Sequence, residues 1–92
     1  MNLDYSDNSI LFFYSDNCDS CNGVKEALQS EDVKVTTIDI TDKDNLDICE
    51  QFSISHVPTV VFMNKDVIVD VVIGLKKPER YKELIKHFKS IK

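Results

Sequence analysis

The sequence predicts an α/β fold in which helices cover a mixed four-stranded sheet, in the order β-α-β-α-β-β-α. Three observations lead to this prediction. The run "ILFFY" (residues 10–14) is continuously apolar, which is typical of a central strand buried on both faces. Two β-rich runs, "TVVFM" and "VIVDVVI", are separated only by "NKD", as in a hairpin. The closing segment "KPERYKELIKHFKSIK" has the apolar spacing of an amphipathic helix.

The segment after the first strand predicts a helix followed by a second strand. Between Cys21 and Gln29, one helical face carries the apolar residues Val24, Ala27 and Leu28. Residues 33–40, "VKVTTIDI", are rich in β-branched side chains and indicate the second strand. A strand, a helix and a strand in succession favour parallel pairing with a right-handed crossover. Gly23 costs such a helix up to about 1 kcal/mol, so we expect close packing or fraying there.

Two further helices are predicted from capping residues and apolar spacing. In "TDKDNLDICEQF" (residues 41–52), Thr41 or Asp42 would cap a helix whose core-facing residues are Leu46, Cys49 and Phe52. We interpret Cys49 as a small core residue, with a regulatory or dimer-forming thiol as the alternative. In the last helix Pro78 lies near the first position, and the apolar stripe consists of Tyr81, Leu84, Ile85 and Phe88.

Length and composition restrict the classes of protein to consider. The 92 residues, 42% of them hydrophobic, fit one domain spanning residues 1–92. A net charge of −5 without a basic stripe argues against nucleic-acid binding. No segment approaches the ~20 apolar residues of a membrane span, and the N-terminus lacks the pattern of a secretory signal. We therefore expect a cytoplasmic protein, and nothing in the sequence demands more than a monomer.

The stretch "FFYSDNCDSCNGVKEAL" places Cys18 and Cys21 between a buried strand and a helix. In the first helical turn, Cys18 would face unpaired backbone N–H groups and the positive end of the dipole, which favour the thiolate. Helix geometry puts the two Cα atoms roughly 5 Å apart, within reach of a disulfide. A redox pair is the preferred interpretation. A metal site and two inert thiols are the alternatives.

A second feature is "VPT" directly before the third strand, because proline belongs at a strand start or edge. With this feature added, the sequence resembles the thioredoxin superfamily. The matching stretches are "FFYSDNCDSC", "SISHVPTVVFMNKDVIVDVVIGL" and "ERYKELIKHF". The resemblance covers nearly the whole chain from Ile10 onward, without the strand and helix that open a full-length thioredoxin. It implies a minimal thioredoxin-like fold, of the size of glutaredoxins and small redoxins.

The resemblance implies a thiol–disulfide oxidoreductase whose catalytic residues are Cys18 and Cys21. Cys18 would be the exposed attacking thiol and Cys21 the buried resolving thiol. No cofactor beyond this redox-active disulfide is implied. The substrates would be protein disulfides, and a reductase or a low-molecular-weight thiol would supply electrons.

The resemblance also implies a substrate-binding groove beside the two cysteines. Pro58 would be the cis-proline of the family, and Val57 would offer backbone groups to a substrate peptide. Thr59 and Gly74 would lie in the same groove. His56 could stabilise the Cys18 thiolate or touch the partner, and its alternative is a solvent-facing loop residue. Cys18, Cys21, Cys49 and His56 could form a zinc set, although the resembled fold places Cys49 away from the pair.

The chain departs from thioredoxins at several positions. Their motif is Trp-Cys-Gly-Pro-Cys-Lys, whereas this chain reads Asn17-Cys18-Asp19-Ser20-Cys21-Asn22. Phe12 stands where thioredoxins carry a buried acid, and the accompanying lysine falls at about Thr37. Asp19 would oppose the Cys18 thiolate and make the pair more reducing. Alternatively, Asp19 or Ser20 would bond a backbone N–H at the helix start.

Two other functions remain open at this point. A glutaredoxin-like, glutathione-dependent reductase is one, with Lys76 and Lys77 after Gly74 as the possible anion-binding residues. Glutaredoxins usually carry two glycines where this chain has Gly74 alone. A thioredoxin-fold binding module with little turnover is the other, because the buried acid is missing and the motif is altered.

Overall fold

The computed structural model describes residues 8–30, 33–65, 67–75 and 77–90. The strands are β1 (Asn8–Tyr14), β2 (Lys34–Asp39), β3 (Thr59–Asn64) and β4 (Val67–Ile73). The helices are α1 (Asp19–Gln29), α2 (Leu46–Gln51) and α3 (Pro78–Ser90), and a 3₁₀ turn (Lys43–Asn45) precedes α2. Asp66 of the predicted hairpin turn, Lys76 and the last two residues of the predicted final helix lie outside the described residues. None of the described helices combines the length and the apolar character needed to cross a membrane.

The sheet is mixed and its strand order is β2-β1-β3-β4. β1 runs parallel to β2 and antiparallel to β3, and β3 forms an antiparallel pair with β4. The continuous apolar run is thus a central strand, as predicted, and the α/β class is confirmed. In this register Phe12 lies opposite Thr37 on one side and Val60 on the other.

The face of the sheet covered by α1 and α3 carries the larger core cluster. Ile10 and Phe12 point to this face because side chains alternate along a strand. The predicted helical faces supply the rest: Val24, Ala27, Leu28, Tyr81, Ile85 and Phe88 are all buried there. Cys21 belongs to the same cluster and is 3% exposed. One redox cysteine is therefore part of the main core.

The opposite face carries a smaller cluster under α2. Phe13, Ile38 and Val61 are buried in it, and Ile48, Cys49 and Phe52 pack against them. The prediction that Leu46 faces the core is wrong, because its side chain is 54% exposed. The segment starts as a 3₁₀ turn, which has three residues per turn, and becomes α-helical only at Leu46. The side chains that face the core are therefore those of Ile48, Cys49 and Phe52. Asp42 caps the turn, accepting a hydrogen bond from the Asp44 N–H at 2.9 Å.

Gly23 marks a close approach between α1 and α3. A Cβ atom at this position would lie 3.1 Å from Cγ of Pro78, the first residue of α3. Of the two alternatives expected for this glycine, close packing or fraying, close packing is present. It brings the start of the closing helix against the first turns of the helix that carries the cysteines.

We predict that Tyr81→Phe destabilises the fold by about 1–2 kcal/mol at pH 8, because it leaves a carbonyl unpaired. The Tyr81 side chain is buried and its hydroxyl donates to the Leu75 carbonyl oxygen. Burial raises the pKa of Tyr81 to about 12. The protonated form is favoured in the folded state, so this stabilisation is intact below about pH 10 and declines as the pH rises towards 12.

Urea unfolding of both proteins at pH 8 and pH 11 measures the effect. The advantage of the wild type should shrink at pH 11, because phenylalanine cannot ionise. An equal difference at both values would contradict the prediction. Tyr14→Phe is the control at pH 8, since the half-buried Tyr14 stacks on Phe12 and its hydroxyl makes no hydrogen bond within the described residues.

Candidate active site

The two cysteines occupy defined positions at the start of α1. β1 ends at Tyr14, and the chain turns back so that the Cys18 N–H donates to the Ser15 carbonyl at 3.1 Å. Cys18 is the N-cap residue of α1, with extended φ and ψ of −98° and 97°. Cys21 is therefore the third helical residue, and its N–H donates to the Cys18 carbonyl at 3.1 Å. Side chains at these two positions approach each other, as in a capping box.

Cys18 and Cys21 form a disulfide with their Cα atoms 5.3 Å apart. This separation agrees with the distance expected from helix geometry. The two residues differ in exposure, because Cys21 is buried in the core whereas Cys18 is half-buried and lines a surface cleft. An external sulfur can therefore approach Cys18 more easily than Cys21.

Ser20 and Asp19 lie between the cysteines in different environments. The Ser20 hydroxyl oxygen lies 3.5 Å from Sγ of Cys18, a contact that the sequence reasoning missed. The positions could have indicated it, since an N-cap side chain points towards the second and third helical residues. Asp19 is exposed, and within the described chain its carboxylate has no hydrogen bond or ion pair. The capping hydrogen bond considered for Asp19 is thus absent from this part of the chain.

The loop before β3 packs beside the first turn of α1. The Val57–Pro58 peptide bond is cis. The buried Thr59 donates from its hydroxyl to the His56 carbonyl at 2.7 Å, which closes the loop on itself. The Gly74 N–H donates to the Pro58 carbonyl at 2.8 Å and so ties the end of β4 to this loop. Gly74 has φ of +74°, a conformation that favours glycine.

The cleft at the disulfide has a volume of about 420 Å³. It is lined by Ser15, Asn17, Cys18, Asp19, Ser20 and Val57. Of the residues predicted for the site, the structure thus brings Cys18, Asp19 and Val57 together at one surface. Pro58 and Thr59 are buried beneath the loop. His56 is exposed and its Nδ1 lies 2.8 Å from the Ser55 hydroxyl, outside the lining of the cleft.

The interior beneath Cys21 is apolar. Phe12 is fully buried in the same cluster, and its ring stacks on Tyr14 with the centroids 5.7 Å apart. Thr37, the residue opposite Phe12 on β2, is exposed. Neither residue can exchange a proton with Cys21 as a carboxylic acid would.

Cys49 lies on the opposite face of the sheet from the disulfide. It packs against the cluster under α2, and burial raises the pKa of its thiol. Among the residues that the structure describes, no group of three or more His, Cys, Asp or Glu side chains is placed to hold a metal ion. The structure does not bring Cys49 into a set with Cys18 and Cys21.

A sequence model of the thioredoxin family matches residues 2–87. The chain belongs to the thioredoxin family. Together with the Cys18–Cys21 pair, this membership identifies a thiol–disulfide oxidoreductase. Thioredoxins need no cofactor beyond their redox-active disulfide.

Solved thioredoxin structures share the fold. A mutant thioredoxin from Halobacterium salinarum has a TM-score of 0.77 and 24% identity, covering 94% of this chain and 78% of its own. Thioredoxin f2 from Chlamydomonas reinhardtii has a TM-score of 0.77, 23% identity and coverages of 94% and 82%. Mitochondrial thioredoxin 3 from Saccharomyces cerevisiae has a TM-score of 0.73 and 23% identity, covering 88% of this chain and 78% of its own. Among curated protein sequences, none matches the chain.

We predict that, in the reduced protein at pH 7, iodoacetamide labels Cys18 at least about tenfold faster than Cys21 or Cys49. Cys18 lines the cleft at a helix N-terminus, where the thiolate is favoured. Cys21 is 3% exposed, and the raised pKa of Cys49 lowers its thiolate fraction. Timed quenching with peptide mass mapping measures the three rates. Equal rates at Cys18 and Cys21 would contradict the predicted asymmetry.

Proposed function

We propose that this protein reduces disulfide bonds in other proteins through the Cys18–Cys21 dithiol. One observation carries the proposal: the disulfide joins a half-buried cysteine in a surface cleft to a cysteine that is 3% exposed. Such a pair separates the sulfur that a partner can reach from the sulfur that can only act within the protein. The family membership supports the same chemistry.

The exchange proceeds in two steps. The Cys18 thiolate attacks one sulfur of the substrate disulfide, the substrate S–S bond breaks, and the released thiolate takes a proton. The Cys21 thiolate then attacks Sγ of Cys18 in the mixed disulfide and releases the second substrate thiol. Two electrons pass from the protein to the substrate, and the Cys18–Cys21 disulfide is formed. The backbone N–H groups of Asp19 and Ser20 and the Ser20 hydroxyl are available to stabilise the Cys18 thiolate.

A substrate peptide would bind in extended form along Val57. Within the described chain, the N–H and C=O groups of Val57 have no hydrogen-bond partner, so both can pair with a peptide backbone. The buried Pro58 and Thr59 would hold the loop in shape from beneath. Gly74 would keep the adjacent surface open, since apart from its two chain neighbours no residue lies within 4 Å of a Cβ built there. The exposed His56 would touch the partner beyond the cleft.

The resolving step would proceed without a buried acid. Phe12 and Thr37 occupy the positions where thioredoxins carry the acid and its lysine, so neither can take the Cys21 proton. Water entering through the cleft, or the leaving thiolate of the substrate, would accept it instead. We expect this step to be slower than in family members with the acid, because general-base assistance is typically worth about 10²–10⁴-fold.

Electrons would come from a disulfide reductase or a low-molecular-weight thiol. The free Cys49 thiol suits a reducing compartment, which supports a cytoplasmic location. A glutathione-dependent reaction is the second candidate, with the exposed Lys77 as its possible anion contact. A binding module with little turnover is the third, favoured by the apolar surroundings of Cys21.

We predict that the protein accelerates insulin reduction by dithiothreitol and that Cys18→Ser lowers the rate to that of dithiothreitol alone. Cys21→Ser should lower the rate strongly, and in a separate incubation without dithiothreitol, which would cleave mixed disulfides, it should make one exchange and accumulate mixed disulfides with insulin chains. Cys49→Ser, a cysteine on the opposite face, is the matched control and should keep at least about half of the rate. Precipitation of the insulin B chain gives the rates and mass spectrometry gives the mixed disulfides. No acceleration by the wild type would favour the binding module.

We predict that the Cys18–Cys21 pair has a reduction potential near or below the ~−270 mV of thioredoxin. The Asp19 carboxylate opposes the Cys18 thiolate, which destabilises the reduced form relative to the disulfide. Equilibration in defined dithiothreitol buffers, alkylation and mass spectrometry give the value. A potential of ~−180 mV or higher would indicate an oxidant or isomerase and would contradict the proposed direction of electron flow.

A further inference from the structure

We infer that Asp19 makes this protein selective for disulfides with positively charged groups beside the reacting sulfur, and that it disfavours anionic thiols and disulfides such as glutathione. The inference rests on the proposed function and deepens it by naming the substrate class. The observation behind it is the charge of the redox cleft. Among the described residues that line the cleft, Asp19 carries the only formal charge.

The Asp19 carboxylate is placed to act on an incoming substrate. It belongs to the residue directly after the half-buried Cys18, it is exposed, and it lines the same cleft. Within the described chain it has no ion pair or hydrogen bond that would neutralise its charge. A substrate sulfur that reaches Sγ of Cys18 therefore arrives within several ångströms of a free negative charge.

Among the residues that the structure describes, the other charges near the cleft do not cancel this effect. Asp16, in the turn between β1 and α1, is also exposed and adds a second negative charge close by. The first lysine of α1 is Lys25, about 10 Å along the helix from Cys18 at about 1.5 Å per residue. Lys77 and His56 lie outside the lining of the cleft. The dipole of α1 favours anions, but it arises from the backbone and is therefore the same in the wild type and in variants of Asp19.

The size of the effect follows from Coulomb's law. At about 6 Å in water, one unit charge on the substrate changes the rate constant of its reaction with Cys18 about threefold through Asp19. A positive charge raises the rate constant and a negative charge lowers it. Asp19 should therefore make the rate constants of a cationic and an anionic disulfide differ about tenfold. The difference should arise in the association step more than in the exchange steps that follow. Salt screens exposed charges, so the difference should shrink towards unity at about 0.5 M. The chemistry remains the two-step exchange described above, with two electrons passing to the disulfide.

Three small disulfides test the inference with the full-length, reduced protein. Cystamine is cationic, oxidised glutathione is anionic, and hydroxyethyl disulfide is neutral. Their second-order rate constants are measured at low ionic strength by acid quenching and mass spectrometry. The ratio of the cystamine rate to the oxidised-glutathione rate is compared among wild type, Asp19→Asn and Asp19→Lys. Any general change in Cys18 reactivity cancels in this ratio, because both disulfides meet the same thiol.

We expect Asp19→Asn to lower the ratio about tenfold and Asp19→Lys to lower it further. Asp47→Asn is the matched control, since it removes an equal charge from an exposed position on α2 and should change the ratio less than about twofold. A ratio within about twofold of the wild type in both Asp19 variants would overturn the inference. An equal change in Asp47→Asn would also overturn it, because net charge would then be the cause. Failure of the wild type to reduce the neutral disulfide would instead refute the proposed function, and the inference with it.

Discussion

The packing of α1 against both the sheet and α3 is the constraint on which the redox site depends. A disulfide between the N-cap and the third residue of a helix requires regular geometry in the first turn, because this geometry sets the distance between the two Cα atoms. Val24 and Leu28 fix the helix by burial in the main core, among Tyr81 and Ile85 of α3. The absence of a side chain at Gly23, in the second turn of α1, lets α3 approach this end of the helix. The geometry of the two sulfurs is thus determined largely by apolar contacts several residues away.

The same core explains why the two cysteines differ from each other. Cys21 lies on the helical face that packs on the sheet, so its sulfur is removed from water. Cys18 precedes the first helical residue, in extended conformation, and lies at the rim where the strand ends. The difference in exposure between the two cysteines therefore requires no additional residue. It follows from placing the pair across the boundary between a turn and a buried helix.

Most of the fold was predictable because its elements carry strong periodic or continuous apolar patterns. The buried run of β1, the two β-rich runs and the stripe of α3 appear as predicted. The misassignment of Leu46 arose in the shortest helix, where a 3₁₀ turn changes the rotation per residue before the α-helix begins. The α-helical period alone does not reveal such a change. Contacts between segments far apart in sequence, such as that of Gly23 with Pro78, require the fold itself.

In the site, spacing predicted the disulfide, whereas the sequence did not show what lines the cleft. The hydroxyl of Ser20 beside Sγ of Cys18 depends on which residue is the N-cap, and helix ends are the least certain part of a sequence pattern. The buried hydroxyl of Thr59 donates a hydrogen bond to the His56 carbonyl in the same loop, which the "VPT" pattern does not indicate.

Asp19 influences two separate properties of the site. By opposing the Cys18 thiolate it lowers the fraction of reactive sulfur for every substrate alike, and a more basic thiol recovers part of that loss through higher intrinsic nucleophilicity. By facing the cleft it alters the encounter rate according to the charge of the substrate. The first effect is uniform and partly self-compensating, whereas the second differs in sign between cations and anions. A carboxylate at this position therefore changes the choice of partner more than the overall speed of exchange.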